Sequence, residues 1–393
     1  MACLAGDRSP TVFSMARPHA AARIETRVNS AITRTLRRHG WKGRALAHTG
    51  YGSVDFVRVM GRVVLTRGEV EQGQARPDVG DWIRSPLTDQ MRGWRAFITA
   101  QLAHAPVTVT LNGQDYSTTT DQNGYVDLII TDHGLEPGWH EAKIQPENGL
   151  YDVARVNIIS PDVRFGIVSD IDDTVISTSL PRPLIAAWNT FVLKEQARRI
   201  VPGMAPMYRN LLAEFPGAPI FYLSTGAWNT ADTLTRFLDR HGYPAGPLLL
   251  TDWGPTNTGW FRSGQDHKRR NLHRLATEFP HIRWVLVGDD GQHDPRIYGD
   301  FARDRADVVR AIGIRELTPA EQVLSHGLPL SVEGFSPRVH RPVPVVRAPD
   351  GYGLGPQMRA ALGIESSRSA VAPRVIHTRQ DEDKQDGTPG AAQ

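Results

Sequence analysis

Residues Phe165 to Val175 read FGIVSDIDDTV, an apolar run that ends in three carboxylates and a threonine. Asp170, Asp172 and Asp173 stand so close that like-charge repulsion raises their pKa values unless a cation or a partner holds them. Asp is a common turn residue, so the plain reading is a strand followed by an acidic turn. The chemical reading is a metal-dependent phosphoryl-transfer site built on Asp-x-Asp-x-Thr.

Three further polar groups fall at the ends of apolar runs or at helix starts, and they decide between the two readings. Ser224 and Thr225 end PIFYLST, Lys268 opens the helical segment HKRRNLHRL, and Asp289, Asp290 and Asp294 follow WVLVG. Ligands of parallel α/β sheets bind outside the carboxyl ends of the strands, where these groups would lie. Each then has a task. Asp170 can attack phosphorus and form an aspartyl-phosphate, dividing a hard hydrolysis into two easier steps. Asp172, two residues on, can protonate the leaving oxygen and later deprotonate the attacking water. Two anions and a phosphate share a site only around a hard cation with oxygen ligands, Mg²⁺ being the usual one, and Asp289 and Asp294 are placed to complete its coordination with Asp170 and Asp172. Lys268, Ser224 and Thr174 offer a charge and two hydroxyls to the phosphoryl oxygens, Thr174 also fixing the loop by hydrogen bonding. Asp290 competes with Asp294 as the further ligand, Arg269 and Arg270 can stand in for Lys268, and Asp173 and His293 read as neighbours of the site.

In the order strand–DIDDT, LST, HK and GDDGQHD, the chain resembles the haloacid-dehalogenase superfamily of aspartate-nucleophile phosphatases. FGIVSDIDDTV, IFYLSTGAWNT, GPLLLTDWG and VGDDGQHDPRIY are similar to the signature stretches of one branch, the phosphatidate phosphatases related to the actin-patch-associated protein of fungi. The resemblance covers about residues 160–318. It implies Mg²⁺-dependent hydrolysis of phosphatidate to diacylglycerol and phosphate, with Asp170 as nucleophile, Asp172 as acid and base, Ser224 and Lys268 on the phosphate, and Asp289 and Asp294 on the metal. Two departures stand out. STGAW occupies the place of a Ser-Asn-type pair, and the tail lacks a Pro-x-x-Pro array of the kind that docks adaptor domains, so actin association is not carried over.

The elements that must hold these groups follow from the pattern of apolar residues. From Val163 to about Ala320, apolar runs alternate with the helical segments MAPMYRNLLAEF, TADTLTRFLDRHG and KRRNLHRLATEF, which predicts a doubly wound parallel sheet. TPAEQVL closes it, with Thr318 as N-cap and Glu321 completing a capping box. From Asp55 to Ser160 the texture is short alternating runs (DFVRVMGRVVLT, PVTVTLNG, GYVDLIITD, YDVARVNIIS), with hairpin-type turns at Asn112-Gly113 and Asn123-Gly124, predicting an antiparallel β-sandwich. The expected organisation is a basic segment over 1–50, the β-sandwich over 51–161, the phosphatase domain over 162–335 and a disordered tail over 336–393.

About fifty residues separate Thr174 from Ser224, enough for a flap and the helix PLIAAWNTFVLKEQ but not for a full cap domain. Leu184, Ile185, Trp188, Phe191 and Val192 share one face of that helix, for acyl chains or for packing on the sheet. Trp228, Trp253, Trp260 and Phe261 lie near strand ends and either shape the pocket or fill the core.

The chain of 393 residues has 22% charged and 40% apolar residues and a formal net charge of +3, an ordinary balance for a folded, water-soluble protein. Its single cysteine, Cys3, excludes an internal disulfide and a Cys-based zinc site and fits a reducing, cytoplasmic setting. No apolar stretch approaches the ~20 residues of a membrane span, and the N-terminus lacks the apolar core of a secretory signal; Met15 offers a second start. Basic charge concentrates before residue 48, where the segment 21–39 puts Ile24, Val28, Ala31, Ile32 and Leu36 on one helical stripe beside arginines. Such a helix either docks on its own domain or lies on an anionic membrane surface. No nucleic-acid partner is expected. The rivals to phosphatidate hydrolysis are a phosphatase for a soluble or other bulky phosphomonoester and a non-catalytic lipid- or protein-binding module.

Overall fold

The computed structural model describes residues 35–36, 38–66, 101–177, 199–251, 260–291, 293–319, 321–322 and 343–364. Two sheets dominate it. One half is a six-stranded sheet with every neighbouring pair parallel, in the order β12-β11-β8-β13-β14-β15. Its strands are β8 (Phe165–Asp170), β11 (Ile220–Ala227), β12 (Leu248–Thr251), β13 (Arg283–Asp289), β14 (Val309–Arg315) and β15 (Val345–Ala348). All six residues of β8 are buried, as an apolar strand covered on both faces must be. From β8 the chain adds β11 and β12 on one side, then crosses back to add β13 and β14 on the other. The direction of winding therefore reverses between β8 and β13, the place where open α/β sheets form their ligand crevice.

Helices cover both faces. One face is packed by α1 (Met204–Ala213), α2 (Ala231–Arg240) and α5 (Gly351–Ala361), around Met204, Tyr208, Leu234, Phe237, Leu354 and Met358. The other is packed by α3 (Trp260–Glu278) and α4 (Asp294–Asp304), around Leu272, Leu275, Phe279, Ile297 and Phe301. Two expectations change here. Lys268 lies well inside α3 rather than at its start, because the helix runs through Gly264. That residue reads as a breaker, yet a Cβ there would stand 3.1 Å from Thr225 Cγ2, so the close approach of α3 to β11 favours glycine. The tail expected to be disordered from 336 is folded over 343–364. β15 pairs with β14 from Ile312↔Val345 to Arg315↔Ala348, and α5, capped by Asp350 on the Gly353 N–H, buries Leu354 and Met358 completely.

The other half is a seven-stranded sheet in the order β4-β3-β6-β7-β1-β2-β5, formed by β1 (Lys42–Gly52), β2 (Phe56–Thr66), β3 (Pro106–Leu111), β4 (Gln114–Thr119), β5 (Tyr125–Thr131), β6 (Gly138–Pro146) and β7 (Asp152–Ile158). All its pairs are antiparallel except β1 with β7. Where two facing sheets were expected, the hydrogen bonding is one continuous sheet. It curls until its edge strands β4 and β5 approach each other, and its inner face packs on itself through Val57, Val59, Val109, Ile144 and Val156. β1 begins inside the segment expected to be a basic arm. Asn112 and Gly113 take positive φ (50° and 74°) in the β3–β4 hairpin as predicted. At Asn123-Gly124 only Gly124 does, and the Asp121 carboxylate accepts the N–H groups of Asn123 and Tyr125 in a link between strands that do not pair. Of the N-terminal stripe, Leu36 packs against this core; residues 21–34, the helix PLIAAWNTFVLKEQ, Trp253, and the side chains of Trp260 and Phe261 lie outside the described residues.

The two halves share apolar contacts. Tyr51 and Met60 of the β domain join the cluster of Phe221, Phe279 and Trp284, with Tyr51 edge-on to Phe221 at 5.0 Å. Glu278, at the end of α3, accepts hydrogen bonds from Tyr51 Oη (2.8 Å) and Arg58 (3.0 Å).

Candidate active site

Each of the four sequence stretches delivers its side chain to one place. β8 ends at Asp170, β13 ends at Asp289, and α4 begins at Asp294. One carboxylate oxygen from each lies within 4.8 Å of the other two, and all three residues are buried. Lys268 reaches this group from α3, with its Nζ 2.7 Å from Asp170 Oδ1 and 2.6 Å from Asp294 Oδ1, and is itself only 4% exposed. Gly288 makes the convergence possible, since a Cβ there would fall 2.5 Å from Asp294 Oδ2. On the other side of Asp170, Ser224 Oγ donates to Asp172 Oδ2 at 2.8 Å and accepts the Gly226 N–H at 2.9 Å. Thr174 Oγ1 stands 3.5 Å from Asp170 Oδ2, at the outer limit of a hydrogen bond.

Three buried carboxylates beside one ammonium are out of electrostatic balance. Burial lifts the Asp170 carboxyl well above its usual range; Lys268 opposes this, and the charges of Asp294 and Asp172 add to it. Asp289 is raised for the same first reason, then by Asp294, Asp170 and Asp173, against Lys268. Burial works to lower the Lys268 pKa, but Asp170, Asp294 and Asp289 outweigh it and leave it raised. Oδ2 of Asp289 and Oδ2 of Asp294 are buried with no hydrogen-bond partner. A buried carboxylate oxygen left without a donor costs about 1–3 kcal/mol or more. Two such oxygens, all-oxygen chemistry and converging charge fit a hard divalent cation, which Asp170, Asp289 and Asp294 would hold.

The loop after Asp170 is held in an uncommon shape. Asp173 takes φ 57°, sparsely populated for a residue with a side chain, while its N–H bonds Ile176 O at 2.8 Å. Arg315, buried at the end of β14, clamps that turn. It donates to Asp173 O (2.7 Å), to Pro349 O after β15 (3.0 Å) and to Glu321 Oε1 (2.7 Å). Glu321 Oε1 also accepts from Ser177 Oγ at 2.9 Å, where β9 (Ile176–Ser177) pairs with β10 (Arg199–Ile200). The expected capping box is present as well, with Glu321 Oε2 accepting the Thr318 N–H at 2.9 Å.

The structure thus brings together Asp170, Lys268, Asp289 and Asp294, with Asp172, Ser224 and Thr174 adjoining. It sets Asp172 apart from the carboxylate trio, its side chain turned to Ser224 rather than to Asp289 and Asp294. Asp290 stands elsewhere, accepting the Leu317 N–H at 2.8 Å, and His293 is exposed. Arg269 faces outward toward Asp266 and Asp300. Trp228 stacks on His48 of the β domain, ring centroids 4.9 Å apart. Arg315 carried no signal in the sequence, because an arginine at a strand end has no local signature. Its partners lie up to 142 residues away.

Residues 165–316 match the family model described as phosphatidate phosphatase APP1, catalytic domain. Over 243 residues the chain is 24% identical to phosphatidate phosphatase APP1 of Saccharomyces cerevisiae, covering 58% of this chain and 40% of that protein. An uncharacterized protein of Schizosaccharomyces pombe is 24% identical over 152 residues, 38% of this chain and 25% of its own length. The matched spans thus amount to well under half of either relative. The HAD domain of effector protein Lem4 from Legionella pneumophila overlaps 40% of this chain and 87% of its own at 14% identity, with a TM-score of 0.28, a likeness too slight to bear on the fold. Over residues 165–316 the chain is thus similar to the catalytic domain of phosphatidate phosphatase APP1, the branch that its motifs resemble.

Proposed function

We propose that this protein is a Mg²⁺-dependent phosphatidate phosphatase that releases phosphate and diacylglycerol through an aspartyl-phosphate on Asp170. The observation that carries the reading is Asp170 itself, buried at the end of the central strand, 2.7 Å from Lys268 and grouped with Asp289 and Asp294. The family matched over residues 165–316 supports the substrate.

In this reading an oxygen of Asp170 attacks the phosphorus in line with the departing glyceryl oxygen. The P–O bond to that oxygen breaks, and Asp172, two residues along the same loop, supplies its proton. Asp172 then removes a proton from water, which attacks the phosphoryl group, frees phosphate and regenerates the Asp170 carboxylate. Lys268 holds positive charge against the phosphoryl oxygens where it is needed in the transition state, and Ser224 keeps Asp172 oriented. A divalent cation held by Asp170, Asp289 and Asp294 would neutralise the phosphate and the carboxylate trio. The substrate would be met at a membrane surface from the cytoplasmic side; among the described residues no helix is long and apolar enough to cross a membrane.

The test is phosphate release from phosphatidate in mixed micelles and from a soluble aryl phosphate, each with and without Mg²⁺, using Asp170→Asn as control. Mg²⁺-dependent turnover of phosphatidate well above the aryl ester, lost in the variant, is the expected result. Turnover of the aryl ester alone would overturn the lipid substrate and keep the mechanism. No turnover of either would move the assignment to a binding module.

A further inference from the structure

Between the β domain and α3 lies a cleft of about 620 Å³, separate from the carboxylate trio. Its size is that of a small-molecule pocket, and domain interfaces are where such pockets form. One wall is a single face of α3, where His267, Arg270, Asn271 and Arg274 follow at helical spacing; the facing wall includes Tyr125 of β5 and Trp228, just beyond β11.

The polar groups of this cleft are unevenly satisfied. Its carboxylates have donors: Asp127 takes both Nε (2.6 Å) and Nη2 (2.8 Å) of Arg58, and Asp121 takes the N–H groups of Asn123 and Tyr125. The arginines are short of acceptors. Arg274 Nε is buried without a hydrogen bond, and the Glu278 carboxylate with which it forms an ion pair, at 4.0 Å, is already shared by Tyr51 and Arg58. Arg270 is exposed and forms no ion pair among the described residues. Burial, helped by Arg270 and Arg274, holds the His267 pKa down at about 4, so at neutral pH it adds no charge of its own. What the arginine face of α3 lacks is an anion of its own.

We propose that this cleft binds a small organic anion. Arg270 and Arg274 take its anionic oxygens, and Trp228 and Tyr125 receive its flat or apolar body. Occupancy would be felt at the candidate active site, because Trp228 lies four residues beyond Ser224 and the single proton of Thr251 Oγ1 is shared between Thr225 O (2.9 Å) and Gly226 O (3.1 Å). The proposal stands whether or not phosphatidate is the substrate. The same chemistry is offered by a soluble phosphorylated or carboxylated metabolite and by a lipid headgroup.

The test follows ¹⁹F NMR of the full chain labelled with 5-fluorotryptophan, the Trp228 resonance being assigned with Trp228→Phe. Phenylphosphonate, which cannot be hydrolysed, is titrated, and methylphosphonate is the probe without a ring. Expected are a saturable shift of the Trp228 resonance, weaker binding of methylphosphonate, and binding weakened about tenfold or more in Arg270→Gln/Arg274→Gln, the scale of losing charge-assisted hydrogen bonds. The other tryptophan resonances check that the double variant is folded. A Trp228 resonance that does not move, or affinity unchanged in the folded double variant, overturns the proposal; equal affinity for the two phosphonates overturns the aromatic half of it. Phosphatidylcholine vesicles with and without phosphatidate form the last arm. A Trp228 shift specific to phosphatidate vesicles assigns the site to a headgroup, and a shift with phenylphosphonate alone assigns it to a soluble anion.

Discussion

Replacing Lys268 with Met asks how much of the site's stability rests on one ammonium. Its Nζ lies 2.7 and 2.6 Å from Asp170 and Asp294, and Asp289 completes a buried trio, so the variant leaves three carboxylates facing one another with no cation. Removing one partner of a buried ion pair costs about 3–5 kcal/mol. For domains of 150–250 residues each kcal/mol moves Tm by about 2–4 °C, which makes the expected loss roughly 6–20 °C in a chelator at pH 8. The carboxylates can escape part of this by taking up protons. Asp170 and Asp289 already have raised pKa values, so they bind protons more tightly folded than unfolded, and the stability this brings is lost as pH rises through those values. The deficit of Lys268→Met should therefore shrink at pH 5. Adding Mg²⁺ should recover much of Tm at pH 8 without restoring turnover. Differential scanning calorimetry at both pH values reads all of this. A variant as stable as the parent at pH 8 in chelator would refute the reasoning, since the trio would then not be under electrostatic load.

Other outcomes test the surroundings of the site. Arg315→Met should lower kcat by up to about a hundredfold through displacement of the catalytic loop, with KM little changed, and Arg315→Lys should recover little, because one ammonium cannot span three separated acceptors; steady-state kinetics with unchanged kcat would dismiss the clamp. Leu354→Ala should cost about 2–5 kcal/mol in urea unfolding, the range for a buried leucine, and an unmoved midpoint would mean that α5 does not pack as described. The Glu321 carboxyl is raised by burial but pulled down further by Arg315, the Thr318 N–H and Ser177, to about 2. Its contribution is complete above the ordinary value of 4.5 and is lost as pH falls from there toward about 2, so acid titrations of the parent and Glu321→Gln should differ at pH 6 and converge by about pH 2.

The catalytic sheet was legible because strands buried on both faces must be apolar throughout. FGIVSD, PIFYLST and WVLVGD announce themselves, and carboxylates where such runs stop stand out against them. The same rule hid other elements. β4 (QDYSTT) is mostly exposed and polar, so it has no apolar face to read. α5 (GYGLGPQMRAA) carries three glycines and a proline and holds its shape by burying Leu354 and Met358 rather than by propensity. β15 supplies four residues at the sheet's edge. Lys268 was legible as a residue but not in its place within α3, because the close contact of Gly264 with Thr225 is tertiary. The contacts of Arg315 and the approach of Tyr51 to Phe221 join distant parts of the chain, and nothing in either local stretch records them.

Helix α3 ties two requirements into one rod. Its middle delivers Lys268 to the carboxylates, while its end, Glu278, is gripped by Tyr51 and Arg58 of the β domain. Ten helical steps separate them, about 15 Å of stiff rise. Tyr51 and Met60 also cover aromatic rings at Phe221 and Phe279 that belong to the catalytic sheet and its packing. A chain begun at residue 162 would keep every side chain of the candidate site, yet it would leave greasy rings uncovered and unmoor the rod that aims its lysine. Either half can be replaced only by a partner that brings its own cover and its own grip. Otherwise they must travel as a pair.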